Sequence, residues 1–155
     1  MGAGAAAFPP DIQDITGRSF NELDVDGNIP RYWAEHTATV VFGATTFANK
    51  QDLVDFWIDR WSDTPARPVY RQGMSWIYKR DLSDRLPQIV LPVLVTHGEE
   101  ETAYPMKWVL PMIEALPNVT LARIPEAGHF ANLENPVAVN TCASSFLTQL
   151  IPKQK

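Results

Sequence analysis

The groups best suited to chemistry sit near the end of the chain. They are three consecutive acids, Glu99, Glu100 and Glu101, and one histidine, His129, held between Gly128 and Phe130. An imidazole within reach of a carboxylate can hold and pass a proton. Taken singly, each has a bland explanation: a run of acids is ordinarily a solvated turn, and a loop histidine is ordinarily satisfied by its neighbours. Their placement favours more than that. Pro92 opens an apolar run, Val93, Leu94 and Val95, closed by His97-Gly98, which reads as a strand buried on both faces in a parallel sheet. The acids follow its carboxyl end, where open α/β sheets carry their working groups. From Pro105 to Leu116, the apolar Met106, Val109, Leu110, Ile113 and Leu116 recur at helical spacing and predict an amphipathic helix. Asn118 then turns the chain into Val119–Ile124, rich in β-branched residues, and the crossover makes this second strand parallel to the first. His129 therefore leaves the sheet on the same edge as the three glutamates.

Other suggestive residues carry less. Asp24-Val25-Asp26-Gly27-Asn28, with Glu35 beyond, spaces oxygen ligands as a calcium loop does, but Ile29 stands where that loop needs glycine and Pro30 follows. A turn before a helix is the expectation. Ser75, in Gly73-Met74-Ser75, lies within a helical pattern with Ile77 two residues on, so it is not a nucleophile on a strand-to-helix elbow. His36 reads as a helix residue. Cys142, the one cysteine, lies in the pattern of the last helix as a buried thiol, which excludes an intrachain disulfide.

The 155 residues suit one domain, and 45% hydrophobic content with mixed charges is that of a globular protein. A net charge of −5 argues against a nucleic-acid or acidic-membrane partner. With no run near the ~20 apolar residues of a membrane helix and no charged leader at Met1, the expected location is cytoplasmic.

Three regions precede or include the site. Residues 1–28 are expected to be irregular, since periodicity is weak from Asp11 to Asn28. Residues 29–90 read as helices: Tyr32, Trp33, His36, Val40 and Val41 before Phe42-Gly43; a link through Thr45-Thr46-Phe47; Leu53, Val54, Trp57, Ile58 and Trp61; then Val69 to Ile77, ending near Arg80-Asp81-Leu82. Residues 91–152 hold the strands, and all five tryptophans lie in or beside the helices, where core packing accounts for most of them.

Pro92-Val-Leu-Val, His97-Gly98-Glu99-Glu100-Glu101, Ile124-Pro125-Glu126-Ala127-Gly128-His129-Phe130 and Leu133-Glu134-Asn135-Pro136 together resemble the C-terminal part of the α/β-hydrolase family. The resemblance extends over roughly residues 29 to 150, with residues 29–90 similar to the family's helical lid. It implies an α/β fold of two parallel strands with helices, preceded by that lid. It also implies that His129 is the general base and that the acid three residues past the glycine, Glu101, orients it. The family usually has aspartate there, so Glu100 and Glu99 stay open as alternatives. Met1-Gly-Ala-Gly-Ala-Ala admits two readings, a flexible terminus or a likeness to the small residues that follow the family's nucleophilic serine.

No G-x-S-x-G occurs in the chain, so the serine elbow and its oxyanion donors are missing and the sequence reads as an incomplete hydrolase. Two parallel strands leave open edges and apolar faces, so self-association or a complementing chain is expected. Two functions follow. One is hydrolysis of a small apolar ester or lactone, without metal or organic cofactor, the lid's likeness pointing to enol-lactone and small-ester hydrolases. The other is a non-catalytic fragment or binding module that holds a partner chain or a small apolar ligand. For the chain by itself, the missing nucleophile favours the second and implies inactivity.

Overall fold

A computed structural model of the chain describes residues 5–151. The first four residues of the Met-Gly-Ala-Gly stretch lie outside the described residues.

Helix α1 (Pro10–Asn21) stands where the sequence predicts irregular chain. Pro10 sets the first turn, and aromatic packing at both ends supplies what periodicity does not. Phe8 is buried, its ring 4.8 Å from that of Trp76 and 5.7 Å from that of Tyr104. Phe20 meets Trp33 edge-on at 5.3 Å. Tertiary contact here outweighs weak local preference. The Asp24–Asn28 segment is a turn: the Asp26 amide donates to the Asp24 carboxylate at 3.1 Å, and the Gly27 amide to the Asp24 carbonyl at 3.1 Å. Among the described residues, no group of three or more His, Cys, Asp or Glu is arranged to hold a metal ion.

Four helices follow: α2 (Arg31–Val41), α3 (Ala44–Asn49), α4 (Gln51–Ser62) and α5 (Ala66–Ile77). Ala34 and Ala38 are fully buried, and these small side chains let α2 lie close against Val54 and Ile58 of α4. Burial of Val54 and of Ile58 contributes ~1.5–3 kcal/mol each. Two expectations are corrected. Thr45-Thr46-Phe47 is helical rather than a link, because distant acids cap α3: Glu134 accepts from the Gly43 amide at 2.7 Å and Glu100 from the Thr45 amide at 2.8 Å. Helix α5 stops at Ile77, before Leu82, since the Leu82 amide is drawn to the Ala5 carbonyl at 3.0 Å and Asp81 accepts from the Ser83 amide at 2.8 Å. A 3₁₀ turn, Ser83–Gln88, then leads to the sheet. The tryptophans all pack into apolar clusters, Trp33, Trp57 and Trp61 in the helical core and Trp76 and Trp108 around Phe8 and Tyr104.

Strand β1 (Val93–Gly98) pairs in parallel with β2 (Val119–Ile124), in register from Val93 with Val119 to Gly98 with Ile124. Helix α6 (Met106–Ala115) makes the crossover and buries Val109, while Leu110 stays 43% exposed. The expected full burial of β1 is not met: Val93, Leu94 and Val95 are half-buried, because each strand has one neighbour among the described residues. The short α7 (Ala131–Glu134) and the long α8 (Pro136–Leu150) close the chain. Asn135 caps α8 by accepting from the Ala138 amide at 3.2 Å. No residue of α8 is fully buried, and Val137, Leu147 and Ile151 just beyond are 58–74% exposed. No helix among the described residues is long and apolar enough to cross a membrane.

Candidate active site

Strand register delivers the two loops side by side. Because Gly98 pairs with Ile124, the turn after β1 meets the turn after β2 at once: the Glu99 amide donates to the Ile124 carbonyl at 2.9 Å and the Glu100 amide to the Ala127 carbonyl at 2.9 Å. Glycine is what permits this approach. A Cβ at residue 98 would overlap the carbonyl oxygens of Ala127 and Gly128, and one at residue 128 would stand 2.6 Å from the Gly43 amide nitrogen.

The three glutamates diverge from this turn. Glu99 is exposed. Glu100 reaches the start of α3, where its carboxylate takes the Thr45 amide at 2.8 Å and the Thr45 hydroxyl. Glu101 reaches His129, with Oε2 2.5 Å from Nδ1 and side-chain exposures of 6% for the acid and 15% for the imidazole. Its other oxygen accepts from the Tyr104 amide at 2.9 Å. Burial pushes the Glu101 carboxyl up, but the hydrogen bond and charge of His129, the Tyr104 amide and the nearby His97 outweigh it and hold the group below the usual glutamate range. An ionised Glu101 accepts a hydrogen bond from a proton held on Nδ1, which leaves Nε2 as the basic nitrogen of the neutral ring.

Residues without a role in the sequence reading complete the frame. His97 is buried on β1, and its Nε2 donates to the Tyr104 carbonyl at 3.1 Å, so one backbone unit is held by His97 on its carbonyl and by Glu101 on its amide. Phe130 packs beside His129, ring centroids 5.6 Å apart, and meets Phe42 at 5.8 Å and Trp61 at 6.0 Å. Trp57 lies 6.0 Å beyond Trp61. The imidazole thus has the Glu101 carboxylate at Nδ1 and the Phe130 ring beside it, and Phe130 in turn packs on Phe42 of the α2–α3 junction and Trp61 of α4.

The fold that carries these loops recurs in solved structures. The chain superposes with a TM-score of 0.83 on a thermophilic esterase from Thermogutta terrifontis, at 22% identity, covering 94% of this chain and 53% of that one. It superposes with a TM-score of 0.77 on the enol-lactonase from Burkholderia xenovorans LB400, at 17% identity, again covering 94% and 53%. The fold is that of the C-terminal part of an α/β-hydrolase. An esterase from Exiguobacterium antarcticum shares this α/β-hydrolase frame at a TM-score of 0.71. By sequence, the chain is 30% identical over 84 residues to RutD of Caulobacter sp. (strain K31), a protein named as a carbamate hydrolase, a match covering 54% of this chain and 31% of that one. The chain therefore spans about half the length of the solved α/β-hydrolases it matches. No family model matches the sequence.

Proposed function

We propose that this chain supplies the acid–base pair and the helical cover of an ester or lactone hydrolase. The observation that carries the proposal is the 2.5 Å contact between His129 Nδ1 and Glu101 Oε2 at the shared edge of β1 and β2. In the reaction, a serine hydroxyl attacks the carbonyl carbon of the substrate and loses its proton to His129 Nε2. Glu101 holds the ring and stabilises the imidazolium. The tetrahedral intermediate collapses as His129 gives the proton to the leaving alkoxide. Water then attacks the acyl-enzyme by the same proton route, releasing the acid and restoring the serine. Residues 29–90 act as the lid, and the wall of Phe42, Trp57, Trp61 and Phe130 favours a small apolar acyl or alkyl group. Residues 91–152 present the pair.

No G-x-S-x-G stands in the sequence, so in this proposal the serine comes from another polypeptide segment, added as strands along the open edge of β1. The same observation favours a second reading, a binding module whose aromatic wall takes a small apolar ligand without turning it over. A chimera separates the two. Residues 5–151 are placed after the strands and serine elbow of the Thermogutta terrifontis esterase, and hydrolysis of short p-nitrophenyl esters is followed. The hydrolase reading expects turnover that falls ~10²–10⁴-fold in His129→Ala. A chimera whose serine is labelled by a phosphonate, yet whose turnover ignores His129→Ala, would sink it.

A further inference from the structure

Leu133-Glu134-Asn135-Pro136 belongs to the pattern that marks the fold, yet the reaction above leaves Glu134 unused. Among the described residues it is the one acid in the buried class, with 0% exposure. Enclosing a carboxylate costs several kcal/mol, on the order of the penalty for any buried ion, unless hydrogen bonds satisfy it. Four do so here, in two pairs. Oε1 accepts from the Gly128 amide at 2.9 Å and the Phe130 amide at 3.1 Å. Oε2 accepts from the Gly43 amide at 2.7 Å and the Thr46 hydroxyl at 2.7 Å. The first pair brackets His129, whose own amide donates to the Val41 carbonyl at 2.8 Å. Three successive amides of the histidine loop are thereby fixed, two to one oxygen of Glu134 and the middle one to the end of α2. The second pair ties the same carboxylate to the start of α3, and Lys50 Nζ donates to the Glu134 carbonyl from the end of that helix.

We propose that Glu134 is the positioning residue for His129: its carboxylate fixes the backbone on both sides of the histidine and locks that loop to the α2–α3 junction, so that the imidazole meets Glu101. The inference rests on His129 and Glu101 being the working pair. Hydrogen bonding supports the direction of the effect. All four partners of Glu134 are donors, so an ionised carboxylate satisfies them, whereas an amide of the same shape must turn its NH₂ toward one pair. Glu134→Gln therefore opposes donor to donor at the loop or at the junction.

The test uses the full chain labelled with ¹⁵N and reads two quantities by NMR: exchange of the Gly128 and Phe130 amides, and the downfield proton of the His129 Nδ1–Glu101 hydrogen bond. In Glu134→Gln both amides are expected to exchange at least about tenfold faster and the downfield proton to vanish, while the amides of β1 and β2 keep their protection. A merely structural role would speed the exchange and leave the His129 proton in place, which would overturn the proposal. If Glu134→Gln loses strand protection and so unfolds, Thr46→Val decides instead. It removes one donor to Oε2 and is expected to shift the His129 proton, and an unshifted proton overturns the proposal. Absence of the downfield proton in the wild type would overturn the pair itself, and this inference with it. None of these outcomes depends on whether an ester is hydrolysed.

Discussion

Replacing Glu101 by glutamine removes one charge and changes no shape, which makes it the sharpest perturbation of the site. The wild-type carboxylate accepts from two donors, His129 Nδ1 at 2.5 Å and the Tyr104 amide at 2.9 Å, with the side chain 6% exposed. Glutamine offers one oxygen. If that oxygen faces His129, the NH₂ meets the Tyr104 amide; if it faces Tyr104, the NH₂ meets Nδ1 and drives the proton to Nε2, away from the basic role. The first orientation leaves a buried donor unsatisfied and the second exchanges a charge-assisted hydrogen bond for a neutral one, each at a cost of ~1–3 kcal/mol. For a chain of this size that lowers the unfolding midpoint by about 2–4 °C per kcal/mol, or roughly 6 °C at the centre of the range. The pH dependence has a definite sign. Because the folded-state pKa of Glu101 lies below its unfolded value, its contribution is fully present above the unfolded carboxylate pKa of about 4.3 and is lost as pH falls through the folded one. Thermal unfolding of wild type and Glu101→Gln, at one protein concentration from neutral pH down to about pH 3, should show a gap that narrows on acidification. A gap that is absent at neutral pH, or constant throughout, would refute the reasoning.

Two further outcomes follow from packing. Gly98→Ala forces its methyl into the carbonyls of Ala127 and Gly128 and is expected to cost ~1–3 kcal/mol, whereas Gly27→Ala, whose Cβ would stand 3.6 Å from Asp24, should stay within ~0.5 kcal/mol; denaturant midpoints compare them. The unpaired strand edges and the exposed Val137, Leu147 and Ile151 should make the isolated chain associate at micromolar concentration, less so in Leu147→Lys with Ile151→Lys. A single monomeric boundary in sedimentation velocity for the wild type would contradict this.

Sequence carried the strands and the meeting of the two loops because both are local facts. Short β-branched runs ended by Gly98 and by Pro125 give strands, and a right-handed crossover gives their order. What escaped it depends on contacts between distant residues. Helix α1 has little periodicity and is held by Phe8 and Phe20 against aromatic rings far along the chain. Helix α3 owes its first turn to Glu100 and Glu134, 55 and 91 residues from the amides they cap. Composition alone also leaves the three glutamates equivalent. Successive residues of a turn point in different directions, and only the register of β1 against β2 sends Glu99 to solvent, Glu100 to Thr45 and Glu101 to His129.

The central claim, that Glu101 and His129 form one working unit, is tested most directly by the imidazole ¹⁵N spectrum of His129 in the wild type and in Glu99→Gln, Glu100→Gln and Glu101→Gln. The account expects His129 to be protonated at Nδ1, with a downfield proton, in the wild type and the first two variants, and to lose the downfield proton, through loss of the charged acceptor or of the Nδ1 proton itself, in Glu101→Gln alone. A larger change in Glu99→Gln than in Glu101→Gln, or no change in any variant, would contradict it.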